Sequence, residues 1–139
     1  NRDQFLLDSI CHHIIAKVLH QKQPHMYSKF ASEIFEWTRI NAHGTLSVSD
    51  VAKQFSVTPE HISRVIKHNY GTSLKQLIVQ FIIGQADTLL CNSNMSIKEI
   101  AAELNFSNYD SFIKFYKYHK QCTPSQYRTQ FININMNKK

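Results

Sequence analysis

The chain has 139 residues, 42% of them hydrophobic, enough to bury one core or two small ones. Only three glycines and three prolines leave hairpins short of turn residues and favour helices joined by short polar connections, so an all-α fold is expected. The formal net charge is +6, and residues 46–139 hold eleven Lys or Arg against six Asp or Glu, an excess that attracts phosphate backbones or acidic surfaces.

Cys11, Cys91 and Cys122 are too scattered for a disulfide framework or a zinc knuckle, which points to a reduced, cytoplasmic setting. The longest nearly apolar run, LIVQFIIG at 77–84, is too short to span a bilayer, no signal peptide is visible, and no membrane partner is expected. A chain that opens on Asn1 rather than methionine is expected to be the C-terminal piece of a longer protein.

At the start, DQFLLDSICHHIIAKVLHQ sets Leu7, Ile10, Cys11, Ile14, Ile15, Val18 and Leu19 at helical spacing, one broad apolar stripe that needs a partner. QKQPH at 21–25 is a connector, with Pro24 stopping that helix. Residues 1–27 are therefore expected to end an upstream regulatory or dimerisation domain, with a homodimer formed through this helix or through that domain. A second helix over Ser28 to Ile40 is expected to bury Phe30, Ile34, Trp37 and Ile40, with Trp37 a core residue rather than a ligand platform.

From Leu46 the punctuation is denser. Ser47 with Asp50, Ser73 with Gln76, Ser96 with Glu99 and Thr123 with Gln126 fit the capping box, in which two side chains satisfy orphan amides at a helix start. Thr58-Pro59 and Thr123-Pro124 place proline at the first helical position. These starts predict helices over 48–55, 59–70, 74–91, 97–104, 109–120 and 124–131. The helix at 74–91 is apolar almost all round, which predicts a strut buried from more than one side. Gly84 inside it costs about 1 kcal/mol of helix propensity, and close approach by a neighbouring helix is the expected reason.

ISRVIK at 62–67 and FIKFYK at 112–117 repeat one pattern of apolar, polar and basic residues. Around them, LSVSDVAKQFSVTPEHISRVIKHNYGTSLKQL aligns with MSIKEIAAELNFSNYDSFIKFYKYHKQCTPSQY, and Val51-Ala52 meets Ile100-Ala101, Arg64 meets Lys114, and Lys67 meets Lys117. Each copy reads as a short helix, a tight turn and a second helix. Ala52 and Ala101 let the two helices approach, while Ser56 and Asn105 fall in the turns, where asparagine tolerates a left-handed backbone. That is the layout of a helix-turn-helix, whose second helix enters the DNA major groove.

Basic residues sit on the second helix of each copy: Arg64 and Lys67 with His61 and His68, then Lys114, Lys117 and Lys120. Lysines and arginines neutralise phosphates, and a few residues near the N-terminal part of an inserted helix read base edges. The candidates are Glu60, His61, Ser63, Arg64 and Lys67 in the first copy and Asn108, Tyr109, Asp110, Ile113, Lys114 and Lys117 in the second. Arg64 can grip a guanine bidentately, worth roughly 1–3 kcal/mol of discrimination, and Ile113 can touch a thymine methyl. Ile62, Val65, Ile66, Phe112, Phe115 and Tyr116 are assigned to the core.

Residues 46–131, and most specifically FSNYDSFIKFYKYHKQCTPSQYR, resemble the DNA-binding domain of AraC/XylS-type bacterial transcription regulators; EIFEWTRINAHGTLSVSDVA extends the likeness back to about Lys29. The resemblance implies a DNA-binding domain over 28–139, with helix-turn-helix units at 46–72 and 95–131 and a linker helix at 73–92. It also implies recognition helices about 34 Å apart in successive major-groove segments of double-stranded DNA, and promoter activation through RNA polymerase. Ile82 and Leu77 stand where the family usually has arginine and often has tyrosine, and Asn105 replaces the common turn glycine. Lys114 replaces the common arginine and lacks its planar fork, so guanine reading leans on the first copy.

An enzyme is disfavoured. The sequence contains no HExxH, no paired CxxC, no phosphate loop and no nucleophile elbow, and no cofactor or metal is expected. The rival expectation is a helical protein-interaction module that uses the repeat only as architecture.

Overall fold

A computed structural model describes residues 29–137, all of whose regular structure is helical. The expected amphipathic helix and connector at the N-terminus lie outside the described residues. Helix α1 spans Lys29–Asn41, α2 Val48–Gln54, α3 Pro59–Tyr70, α4 Leu74–Asn92, α5 Ile97–Glu103, α6 Tyr109–Lys120 and α7 Pro124–Met136. No described helix is long and apolar enough to cross a membrane.

The predicted caps start these helices. Ser47, Ser73, Ser96 and Thr123 each accept the amide hydrogen of the residue three further on, whose side chain returns a bond to the cap amide. Thr58 caps α3 through the His61 amide, and Asn108 caps α6 through the Ser111 amide at 2.8 Å. Helix α7 runs five residues beyond its predicted end at 131.

Ser56 and Asn105 take the left-handed backbone expected of the two turns, with φ of 55° and 56°. After each turn the chain closes back on the paired alanine: the Val57 amide donates to the Ala52 carbonyl and the Phe106 amide to that of Ala101, both at 3.0 Å. Ala52 and Ala101 are almost fully buried.

Two apolar clusters form the core. The first gathers Ile34, Val51, Ala52, Ile62, Ile66, Leu74, Leu77, Ile78 and Ile82, and the second Ala86, Leu90, Ile100, Ala101, Leu104, Phe112 and Tyr116. Helix α4 supplies both, its first half to one cluster and its second half to the other, as its nearly continuous apolar pattern requires.

Two expectations are corrected. Ile40 is 68% exposed: the inward face of α1 is Ala31, Ile34 and Thr38, and Ile40 lies well round the helix from it. Phe30 and Trp37 are only partly buried, each packing edge-on against Phe55. Gly84 is exposed, and a Cβ built there meets nothing within 4 Å, so no close helix approach explains it.

Candidate nucleic-acid interface

Helices α3 and α6 are each twelve residues long and begin 50 positions apart, so their faces correspond one to one. In α3, Ile62 and Ile66 are fully buried and Val65 partly; in α6, Phe112 and Tyr116 are fully buried and Phe115 partly. The opposite faces are exposed. At 100° per residue, Glu60, Arg64, Lys67 and His68 form one outward stripe on α3, and Asp110, Lys114, Lys117 and Tyr118 form its equivalent on α6.

Of the predicted site residues, Glu60, His61, Arg64, Lys67, Asn108, Tyr109, Asp110, Lys114 and Lys117 are exposed, and Ser63 and Ile113 are half-buried at the rim. Ile113 packs against the second core cluster, which leaves only part of its side chain for a ligand. The His61 ring lies over Phe30 with centroids 6.2 Å apart, which orients it from α1. Asn108 and Glu60 also serve their own helix starts, one as cap and one as a first-turn acid complementing the helix dipole.

The cations differ in how they are held. Arg64, Lys114 and Lys117 form no ion pair with another described residue. Lys67 donates to the Gly71 carbonyl at 2.9 Å, capping the end of its own helix. Lys120, counted among the basic residues of its helix in the sequence, turns inward instead. Its ammonium is 2.9 Å from Asp87 on α4 and 4.8 Å from the centre of the Tyr127 ring, with its side chain only 15% exposed. The Tyr116 hydroxyl donates to the same carboxylate at 2.6 Å. Burial and the Asp87 charge push the Tyr116 phenol far above its ordinary value, so it serves as a permanent donor.

Two stripe members were missed in the sequence as site candidates. Tyr118 is 76% exposed and stands at the position equivalent to His68, both on the stripe that carries Arg64 and Lys114. The 50-residue offset could have found the pair: an aromatic ring at an outward position of a recognition helix has no core to fill.

A tandem of two such units with matching exposed basic stripes defines a helix-turn-helix DNA-binding protein. A family model described as "Helix-turn-helix domain" matches residues 51–130. The HTH-type transcriptional activator AarP of Providencia stuartii is 31% identical over 115 residues, covering 83% of this chain and 85% of AarP. An HTH-type regulator of Bacillus subtilis, YfiF, is 36% identical over 88 residues, 63% of this chain but only 28% of YfiF, so the chain corresponds to a fraction of some relatives. Among solved structures, the C-terminal domain of AraT, a response regulator from Geobacillus stearothermophilus, superposes with a TM-score of 0.68 at 25% identity over 74% of this chain and 86% of that one. The protein belongs to the AraC-type helix-turn-helix transcription regulators.

Proposed function

We propose that the protein binds promoter DNA sequence-specifically by placing α3 and α6 in successive major-groove segments. One observation carries this reading: the same outward stripe, acid then two cations then a ring, is presented by both helices at equivalent positions. Towards the start of each helix, Glu60, Arg64, Asp110 and Lys114 of the stripe, His61, Asn108 and Tyr109 beside it, and Ser63 and Ile113 at the rim face base edges. Lys67, Lys117, His68 and Tyr118 lie further along each helix, where the groove wall presents phosphates. Arg64 carries the guanine-reading fork, while Lys114 acts as a point charge. The likeness to AarP supports transcription activation, and RNA polymerase is the partner such a role implies.

Selection from a random duplex pool, followed by affinity measurement across a salt series, tests the reading. A two-part site with elements about one helical turn apart and a steep salt slope is expected. Uniform weak binding to every duplex would overturn it and favour a helical interaction module.

A further inference from the structure

The two units are joined covalently by α4, yet a second junction lies off its axis. The Gly44 amide, in the loop between α1 and α2, donates to the Leu104 carbonyl at 2.7 Å, at the turn of the second unit. One residue on, the Asn105 side-chain amide donates to the Thr45 hydroxyl at 3.2 Å and sits 3.4 Å from Nδ1 of His43. A Cβ on Gly44 would stand 2.7 Å from the Phe106 ring, so only glycine allows this approach.

Phe106 passes the contact on. Its ring is 5.2 Å from both Phe112 and Phe115 on α6, and it packs against both core clusters. Phe115, though on the second recognition helix, packs against the first cluster. A helix fixes the distance between the bodies at its ends, but it resists twisting and bending only as a single rod. A contact away from the rod axis is what sets the angle between those bodies.

We propose that the His43–Thr45 loop and the Leu104–Phe106 turn form a clamp that fixes the rotation of α6 relative to α3, and so sets the spacing of the two half-elements that the protein accepts. Gly44 and Asn105 are its positioning residues. The inference rests on the two-groove reading given above. Each inserted base pair moves a half-element about 3.4 Å and turns it about one tenth of a helical turn, so a fixed angle between the helices yields a sharp spacing optimum.

The test uses the full chain and its selected site, together with versions in which the half-elements are moved apart or together by one base pair. The parent is expected to bind the shifted sites about tenfold more weakly, comparable to a lost base contact. Asn105→Gly keeps the left-handed backbone while deleting the bonds to Thr45 and His43, and Gly44→Ala drives a methyl into Phe106. Both are expected to reduce the tenfold discrimination to about two- or threefold, with a smaller loss at the optimal site. Ser56→Gly, at the exposed turn of the first unit, should keep the parent's spacing profile.

If Asn105→Gly and Gly44→Ala lose affinity equally at every spacing, the contact only stabilises the fold and the clamp is refuted. Should the parent itself bind a lone half-element as tightly as the pair, the two-groove reading is overturned and the clamp that rests on it falls with it.

Discussion

In the first unit, the end of the recognition helix is held by rings, Tyr70 stacked on Phe35 of α1 with centroids 4.7 Å apart. In the second, the equivalent position is Lys120, and it joins Tyr116 in a polar network on Asp87. The same helix with the same outward stripe is therefore anchored by apolar area in one copy and by a mostly buried ion pair in the other. The contrast shows that a lysine on a recognition helix is not evidence of a phosphate contact until its face is known. It also explains why the second copy, richer in cations by sequence, has no larger outward charge than Lys114 and Lys117 provide.

The largest effect should come from breaking the polar anchor. Asp87→Ala leaves the Lys120 ammonium and the Tyr116 hydroxyl without their shared acceptor and is expected to cost about 3 kcal/mol, read as a fall in thermal midpoint. Combining Asp87→Leu with Lys120→Met and Tyr116→Phe gives the second unit an apolar anchor like that of the first. That triple variant should recover most of the loss, because removing both charges and the hydroxyl leaves no polar group stranded. A triple variant as unstable as Asp87→Ala would mean that the network is not interchangeable with apolar packing.

DNA contacts should separate the copies next. Arg64→Ala is expected to lower affinity for the selected site about 10- to 100-fold and relax base preference at one position, by loss of a bidentate contact. Lys114→Ala should weaken binding less, with a smaller change of base preference than Arg64→Ala because its point charge lacks the planar fork, and reduce the salt slope by about one. Equal losses of specificity in a binding-site competition would show that the units read DNA alike.

Backbone strain gives a smaller contrast. The helix ends match in conformation, but Gly71 has φ of 71° with open space around it, whereas Gln121 holds φ of 60° with a side chain. Gln121→Gly is expected to stabilise by up to about 1 kcal/mol, less what is lost with its bond to the Tyr118 carbonyl, and Gly71→Ala to destabilise by about 1 kcal/mol. Gly84→Ala should also stabilise, by about 0.5–1 kcal/mol, since the added methyl meets nothing. Chemical denaturation at fixed pH reads all three.

Where the copies agree, so should their responses. The Ser47 side chain, then its backbone, lowers the Asp50 carboxyl, and the Ser96 backbone, then its side chain, lowers that of Glu99. A carboxyl lowered on folding contributes stability that is complete above its unfolded value, here 3.8 and 4.5, and fades as pH falls through the lower native value. The thermal midpoint should therefore drop on acidification below about pH 5, and Asp50→Asn and Glu99→Gln should each flatten the drop to a similar small extent. A flattening from one variant alone would show that the two caps are not equivalent.

Most of the helical frame was legible because it is written in local chemistry. Caps at Ser47, Thr58, Ser73, Ser96 and Thr123 state where helices begin, and the apolar spacing in 59–70 and 109–120 gives their inward faces. What the sequence could not show depends on which residues meet across distance. Lys120 and Asp87 are 33 positions apart and Gly44 and Leu104 are 60 apart, so neither contact leaves a periodic trace. The end of α7 was missed because Asn133 and Asn135 give no strong stop or continuation signal. Gly84 was misjudged because a glycine in an apolar helix looks alike whether it is crowded or open. At the interface, exposure of Arg64, Lys114 and Lys117 followed from the helical period, whereas the half-burial of Ser63 and Ile113 depends on how neighbouring elements close over the rim.

The most direct test of two coupled reading heads is a hydroxyl-radical footprint of the parent and of the Arg64→Ala and Lys114→Ala variants on the selected site. Two protected segments about one helical turn apart on one face of the duplex are predicted, with protection weakened mainly in one segment by Arg64→Ala and mainly in the other by Lys114→Ala. A single protected segment, lost with Arg64→Ala and indifferent to Lys114→Ala, would contradict it.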